Sequence, residues 1–186
     1  MMETKSQHEG VNCLTYRQMR LYLEQVTPEQ EKRFNEELEL NPLKVKVSEA
    51  SDKDIETLVD LYNKSWLTSR TPFTIIKAET MRSLHRNPEI IILIAKLYGI
   101  SAGFIILDFE GEKEQYATIL ALGISPRFQN KGLGRFLGLN AWKQFKQRDI
   151  KELRSEVYIE NTISYKFNKA MGFNEIDTIT YTYETL

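Results

Sequence analysis

One cysteine and two histidines are all that 186 residues contain of the commonest metal and redox ligands. Cys13 has no partner for an internal disulfide, and His8 and His85 lie too far apart in sequence to begin a metal-ligand cluster. Charge of one sign is lacking too. Twenty-five Lys and Arg against 26 Asp and Glu leave a net charge of −1, which offers no electrostatic footprint for nucleic acid. No apolar run approaches the roughly 20 residues of a membrane span, and the opening MMETKSQHEG lacks the apolar centre of a secretory signal. These absences lead us to expect a cytoplasmic protein with no metal, no nucleic-acid partner and no membrane. The 41% of hydrophobic residues is enough for one sizeable core.

What is present concentrates in residues 117–141, ATILALGISPRFQNKGLGRFLGLNA. The run 118–124 is apolar, rich in β-branched residues and too short for a helix, so it reads as a buried strand that Ser125-Pro126 ends. After a polar loop, 127–131, come Gly132, Gly134 and Gly138, on a segment whose Leu133, Leu137, Ala141 and Phe145 recur at helical spacing. Glycines at a helix start let backbone N–H groups approach a ligand, and the first turn offers unpaired donors at the positive end of the helix dipole. Such a unit can cradle phosphate, and Arg127, Lys131 and Arg135 add positive charge around it. The plainer reading is a tight strand-to-helix turn with solvated basic residues. Spacing alone does not separate the two.

Two phosphate loops fail on the details. The dinucleotide fingerprint G-x-G-x-x-G would need its third glycine one position before Gly138. Glu156 does lie where a ribose-binding acid would, but only one strand–helix–strand unit fits after the loop. The nucleotide P-loop needs G-K-[ST], whereas Gly134 is followed by Arg135-Phe136.

Around this stretch the chain reads in order. Met19, Tyr22, Leu23 and Val26 predict a helix over 16–26. Thr27-Pro28-Glu29-Gln30 supplies the N-cap, first-turn proline and capping-box glutamine of a second helix, which Asn41-Pro42 stops. Residues 1–42 are therefore expected to be a helical extension that covers a face, dimerises or walls a substrate site. A half-buried strand over 43–47, helices over 52–64 and 77–86, and a loop holding Trp66, Arg70 and Phe73 follow. Residues 90–97, nearly all Ile and Leu, read as a strand buried on both faces; Tyr98-Gly99 turns it into an antiparallel return over 100–109. Glu112 and Glu114 lie in the next turn. Beyond the glycine helix come a strand over 153–159, a short helix, and one or two closing strands over 174–186.

Two motifs, read together, identify a family. Gln129-Asn130-Lys131-Gly132-Leu133-Gly134 after Ile124-Ser125-Pro126 matches [QR]-x-x-G-x-[GA] behind a strand ending in V/I-x-P. Asn161, Gly172 and Phe173 match N-x-x-A-x-x-x-Y-x-x-x-G-F. From about residue 45 onward the chain resembles the GNAT family of N-acetyltransferases. The resemblance implies an α/β (α+β) fold over 43–186, with a mixed, mostly antiparallel central sheet flanked by helices. It implies an acyltransferase that moves acetyl from acetyl-CoA to a primary amine of a small molecule or protein, by direct attack in a ternary complex. Backbone at Leu122, Gly123 and Ile124 would hold the pantetheine arm and thioester. Gln129, Asn130, Lys131, Gly132, Leu133, Gly134 and Arg135 would hold the pyrophosphate, with Asn161 as a pantetheine contact. Trp66, Arg70 and Phe73 become candidate acceptor contacts, and an exposed last strand makes a homodimer a candidate assembly.

One position departs from the pattern. Asn168 stands where the family's tyrosine commonly protonates the departing thiolate, and an amide has no proton to give. Either Tyr165, one helical turn earlier, or more weakly Tyr158 replaces it, or a thiol with a pKa of about 8.5 leaves unaided while Asn168 hydrogen-bonds the sulfur or pantetheine. The attacking amine, with a pKa of about 10, must also lose a proton. Glu156, Glu160 and the turn glutamates are all open as its acceptor. The missing tyrosine keeps a second function in view, a non-catalytic acyl-CoA-binding sensor or interaction module.

Overall fold

In a computed structural model, which describes residues 11–69, 71–72, 74–111 and 115–184, the apolar run Ile90–Leu97 lies at the centre of one half of a seven-stranded sheet. Every residue of the run is buried except the half-buried Lys96, as a strand covered on both faces requires. The chain order is β1 (Val11–Tyr22), α1 (Pro28–Leu40), β2 (Lys46–Glu49), α2 (Ile55–Trp66), α3 (Ala78–Arg86), β3 (Ile90–Leu97), β4 (Ile100–Glu110), β5 (Tyr116–Ile124), α4 (Leu133–Gln147), β6 (Glu152–Tyr158), α5 (Thr162–Ala170) and β7 (Asn174–Glu184). Across the sheet the order is β2-β3-β4-β5-β6-β1-β7. Only β5 and β6 run parallel; the other neighbours are antiparallel. The mixed, mostly antiparallel sheet expected from the sequence is therefore present.

Helices cover the sheet from both sides. On one face Leu133, Leu137, Ala141 and Phe145 of α4 pack on Ile105, Leu107, Ala117 and Leu153. On the other, Ile55, Leu58 and Leu61 of α2 and Met81 of α3 pack on Ile92, Ile94, Phe104 and Ile106. Each of the Leu, Ile, Phe and Met side chains among these contributes roughly 1.5–3 kcal/mol on burial. Helix α1 lies outside α4, with Phe34 edge-on to Trp142 at 5.7 Å. Its start is the expected capping box: Thr27 Oγ1 accepts from the Gln30 backbone N–H, and Gln30 Oε1 accepts from the Thr27 N–H.

The helix expected over 16–26 is corrected to strand. Met19 and Leu21 are buried while Gln18 and Arg20, which alternate with them, are less so, a period of two inside a window that also satisfies a helical spacing. Partners decide between the readings, because β1 is hydrogen-bonded on both edges, to β6 and to β7. The helical extension thus reduces to α1, and residues 11–22 belong to the sheet. They fill the slot between β6 and β7, which run parallel to each other and are joined through α5. A smaller shift places β2 at Lys46–Glu49, later than the strand expected over 43–47, and of the one or two closing strands expected the structure has one, Asn174–Glu184.

Candidate active site

The parallel pairing of β5 and β6 runs from Tyr116↔Glu152 to Ile119↔Ser155 and stops. Neither strand ends there: β5 stays paired with β4 as far as Gly103↔Ile124, and β6 with β1 as far as Tyr16↔Tyr158. The two strands therefore part. The cause is an extra residue, Leu120, at the register shift where Ile106 faces Ala121 but Leu107 faces Ile119; a bulge bends its strand and breaks the ladder. Leu122, Gly123 and Ile124 form one bank of the gap, and Glu156, Val157 and Tyr158 form the other.

At the mouth of the gap the chain makes a single turn, with Phe128 N–H donating to Ser125 O, and buried Phe128 pins the loop to the core. Exposed Arg127 and Lys131 both lie over the Phe128 ring, 5.3 and 5.8 Å from its centroid, so their charges gather at the loop. Asn130 and Gly132 have positive φ, +59° and +81°. Gly132 serves as N-cap of α4, whose start has no side-chain cap. The first helical bond is Phe136 N–H to Gly132 O, which leaves the N–H groups of Leu133, Gly134 and Arg135 without helical acceptors. Helices α1 and α5, by contrast, are capped by Thr27 and Asn161. A Cβ on Gly134 would lie 3.6 Å from the Phe167 ring and 3.7 Å from Leu122, so this uncapped turn faces the gap. The arrangement fits a diphosphate at the helix start with its arm running between the strands.

Arg135 points elsewhere. Its Nε and Nη2 donate to the two Glu37 oxygens at 2.6 and 2.7 Å, tying α4 to α1 and holding the Glu37 carboxyl below the usual range. Its side-chain charge is thus already matched, and only its backbone N–H remains with the cradle.

The segment after α2 crosses the end of the gap. Gln129 Nε2 donates to Ile124 O at 3.0 Å and to Thr68 Oγ1 at 2.9 Å. On the far bank Asn161 Oδ1 accepts from Ser164 N–H, and its Nδ2 donates to Thr71 Oγ1 at 2.8 Å and to Ser69 Oγ at 3.3 Å. Two motif residues therefore hold one hydroxyl-bearing strap. Sequence reasoning missed Thr68, Ser69 and Thr71 because nothing local marks them. On the α2 face, Ser65 Oγ lies so close to Gly123 that a Cβ there would collide with it and with Phe104. The Trp66 ring lies 5.8 Å from that of Tyr62, tilted 55° to it, at the end of the same helix. Arg70, Phe73, Glu112 and Glu114 lie outside the described residues.

On α5, Asn168 is buried and its Nδ2 donates to Ser164 O of its own helix at 2.9 Å. Tyr165 lies under the Arg17 guanidinium, 4.8 Å from its ring, and the same guanidinium binds Glu175 of β7. Phe167, which the sequence reading passed over, stands beside Gly134 and Gly138. Glu156 and Tyr158 turn to the opposite face. There the Tyr181 hydroxyl donates to both Glu156 oxygens, at 3.0 and 3.1 Å. Burial, the bond to Glu156 and its negative charge all hold the Tyr181 phenol above its usual value. Glu160 is exposed. Among the described residues no group of His, Cys, Asp or Glu gathers as a metal site, and no helix is long and apolar enough to cross a membrane.

Residues 55–173 match the family model described as acetyltransferase (GNAT) family. A spermidine N(1)-acetyltransferase of Thermoplasma acidophilum is 27% identical over 152 residues, covering 73% of this chain and 92% of that protein. Among solved structures, PaiA N-acetyltransferase from Thermoplasma acidophilum in complex with coenzyme A aligns with a TM-score of 0.60 at 24% identity, covering 75% of this chain and 99% of the other. A functionally unknown conserved protein of Staphylococcus epidermidis aligns over 94% of this chain and 63% of its own, with a TM-score of 0.69 at 13% identity. The likeness to these two structures is one of fold.

Proposed function

Since the chain belongs to the acetyltransferase (GNAT) family and is an N-acetyltransferase that uses acetyl-CoA, we propose that its reaction centre is the gap where β5 and β6 part. The observation that carries this is the end of parallel pairing at Ile119↔Ser155, beside the uncapped, glycine-bearing start of α4. The N–H groups from Asn130 to Arg135, with Arg127 and Lys131, bind the diphosphate. The freed edge of β5 at Leu122, Gly123 and Ile124 binds the pantetheine arm and polarises the thioester carbonyl, since a preorganised N–H stabilises the developing oxyanion. Acetyl-CoA supplies the activated thioester, and a neutral amine attacks it from the α2 face. The nitrogen sheds one proton to water and the thiolate takes one up, so atoms and charge balance without a side chain as acid.

That last assignment follows the packing of α5. Tyr165 is engaged under Arg17, and Asn168 carries no ionisable proton, so we assign Asn168 to binding and Tyr165 to packing. The acceptor we propose is an aliphatic amine, in line with the substrate in the name of the Thermoplasma acidophilum relative. The same reading sets the enzyme in the cytosol, in keeping with exposed, unpaired Cys13, and leaves the outer edge of β7 to pair with a second copy.

Calorimetry with CoA and thiol release from acetyl-CoA in the presence of spermidine test the proposal. We expect binding and turnover in the wild type. Asn168→Ala should weaken CoA roughly tenfold, the cost of one lost buried hydrogen-bonding group, with an unchanged pH profile. Tyr165→Phe should keep turnover within about twofold. Loss of most turnover in Tyr165→Phe at unchanged CoA affinity would restore Tyr165 as the acid, and CoA binding without transfer to any amine would return the sensor reading.

A further inference from the structure

We propose that Tyr16, Tyr158, Tyr181 and Glu156 form a receiving site for a second ammonium group of the acceptor, so that the preferred substrate is an α,ω-diamine and not a monoamine. The proposal rests on the gap between β5 and β6 being the reaction centre, and it specifies what that centre accepts.

The placement comes from register. Counting on from Ile119↔Ser155 and passing over the extra Leu120, Glu156 and Tyr158 stand level with Ala121 and Gly123, on the same face of the sheet. They are the far bank of the gap on the side that α2 leaves uncovered. Tyr16 lies opposite Tyr158 on β1, and Tyr181 lies on β7 beyond it. The Tyr16 ring meets both others edge-on, with centroids 5.7 Å away in each case. The Tyr181 hydroxyl fixes the Glu156 carboxylate. Three phenol rings and an anchored carboxylate suit an alkylammonium, whose charge is drawn to ring faces and whose N–H groups need an acceptor.

Charge supports the choice. Two cations of the same face, Arg20 and Arg154, both bind Glu152 further down the strands. No cation among the described residues pairs with Glu156, and exposed Asp177, opposite Gln18, adds a second negative charge. The site is also open, since Glu156 is exposed and Tyr181 is 45% exposed. One or two strand spacings, about 5–10 Å, separate it from the gap, which a spacer of about four or five carbons bridges at the ordinary reach of a saturated chain. Glu156 and Tyr158 lie within the residues the family model matches, whereas β1 and β7, which supply Tyr16 and Tyr181, lie outside them.

The test is calorimetric titration of 1,4-diaminobutane and of butylamine into the full-length protein saturated with CoA. We expect the diamine to bind at least roughly tenfold more tightly than butylamine, the reach of one desolvated cation–π and carboxylate contact. Glu156→Gln and Tyr16→Leu should abolish that preference, Tyr16→Phe should retain it because the ring face remains, and CoA affinity in all three should match the wild type. Equal binding of the two amines, or a preference that survives both Glu156→Gln and Tyr16→Leu, would overturn the site. Acetyl transfer to the diamine is read separately: binding without transfer leaves this site standing and counts against the gap as the reaction centre.

Discussion

The two halves of the sheet are built on different plans. In β3 and β4 most residues are buried, because α4 covers one face and α2 and α3 the other. In β6 burial alternates, with Leu153, Ser155 and Val157 inward and Glu156 exposed, and most of β7 is exposed. The first half uses both faces for cohesion. The second uses one face for cohesion and turns tyrosines, carboxylates and arginines outward on the other. The parallel pair lies at the seam, and it is there that the ladder opens. The proposed recognition site thus lies where packing demands least.

The largest test of this contrast is truncation. Phe104→Ala, at a site with no exposure, should cost about 3–5 kcal/mol in denaturant unfolding, whereas Tyr181→Ala on the open half should cost about 1 kcal/mol or less. Similar costs for the two would break the comparison. A change at the seam should act on ligand and not on fold: Gly134→Val puts methyl groups toward Leu122 and Phe167 and should weaken CoA by roughly tenfold or more, about 1.4 kcal/mol, with the unfolding midpoint near wild type.

The smallest effect concerns the tie between α1 and α4. Glu37 is held below its ordinary pKa by Arg135, so it adds stability above the unfolded carboxylate value of about 4.3 and loses it as pH falls through the lower folded value. Both side chains are more than a third exposed, which limits the pair to about 0.5–1 kcal/mol. Glu37→Gln should therefore be less stable than wild type by that amount near neutral pH and equal to it in acid, as comparison of unfolding curves would show.

Legibility followed the same division. The Ile and Leu run of β3, the Thr27 capping box and the glycine loop at Gly132 are local patterns, and all three stand in the structure where the sequence put them. Residues 11–22 could not be read that way. Their burial pattern served two periodicities, and the partners that decide it, β6 and β7, lie near the other end of the chain. The same distance hid the Arg135–Glu37 pair, the strap of Thr68, Ser69 and Thr71, and the gathering of Tyr16, Tyr158 and Tyr181, each assembled from separate elements.

The position of β1 also bears on how the molecule is made. A ribosome delivers Val11–Tyr22 before the strands that receive it, and those two edges are not complete until Glu184 has been polymerised. Contacts of such long sequence separation form slowly and leave strand edges unprotected meanwhile. Residues 46–124 can pair among themselves as they emerge, while the first strand waits. A nascent chain that stalls before Asn174 would carry a paired cohesive half and a first strand with only one of its two edges supplied.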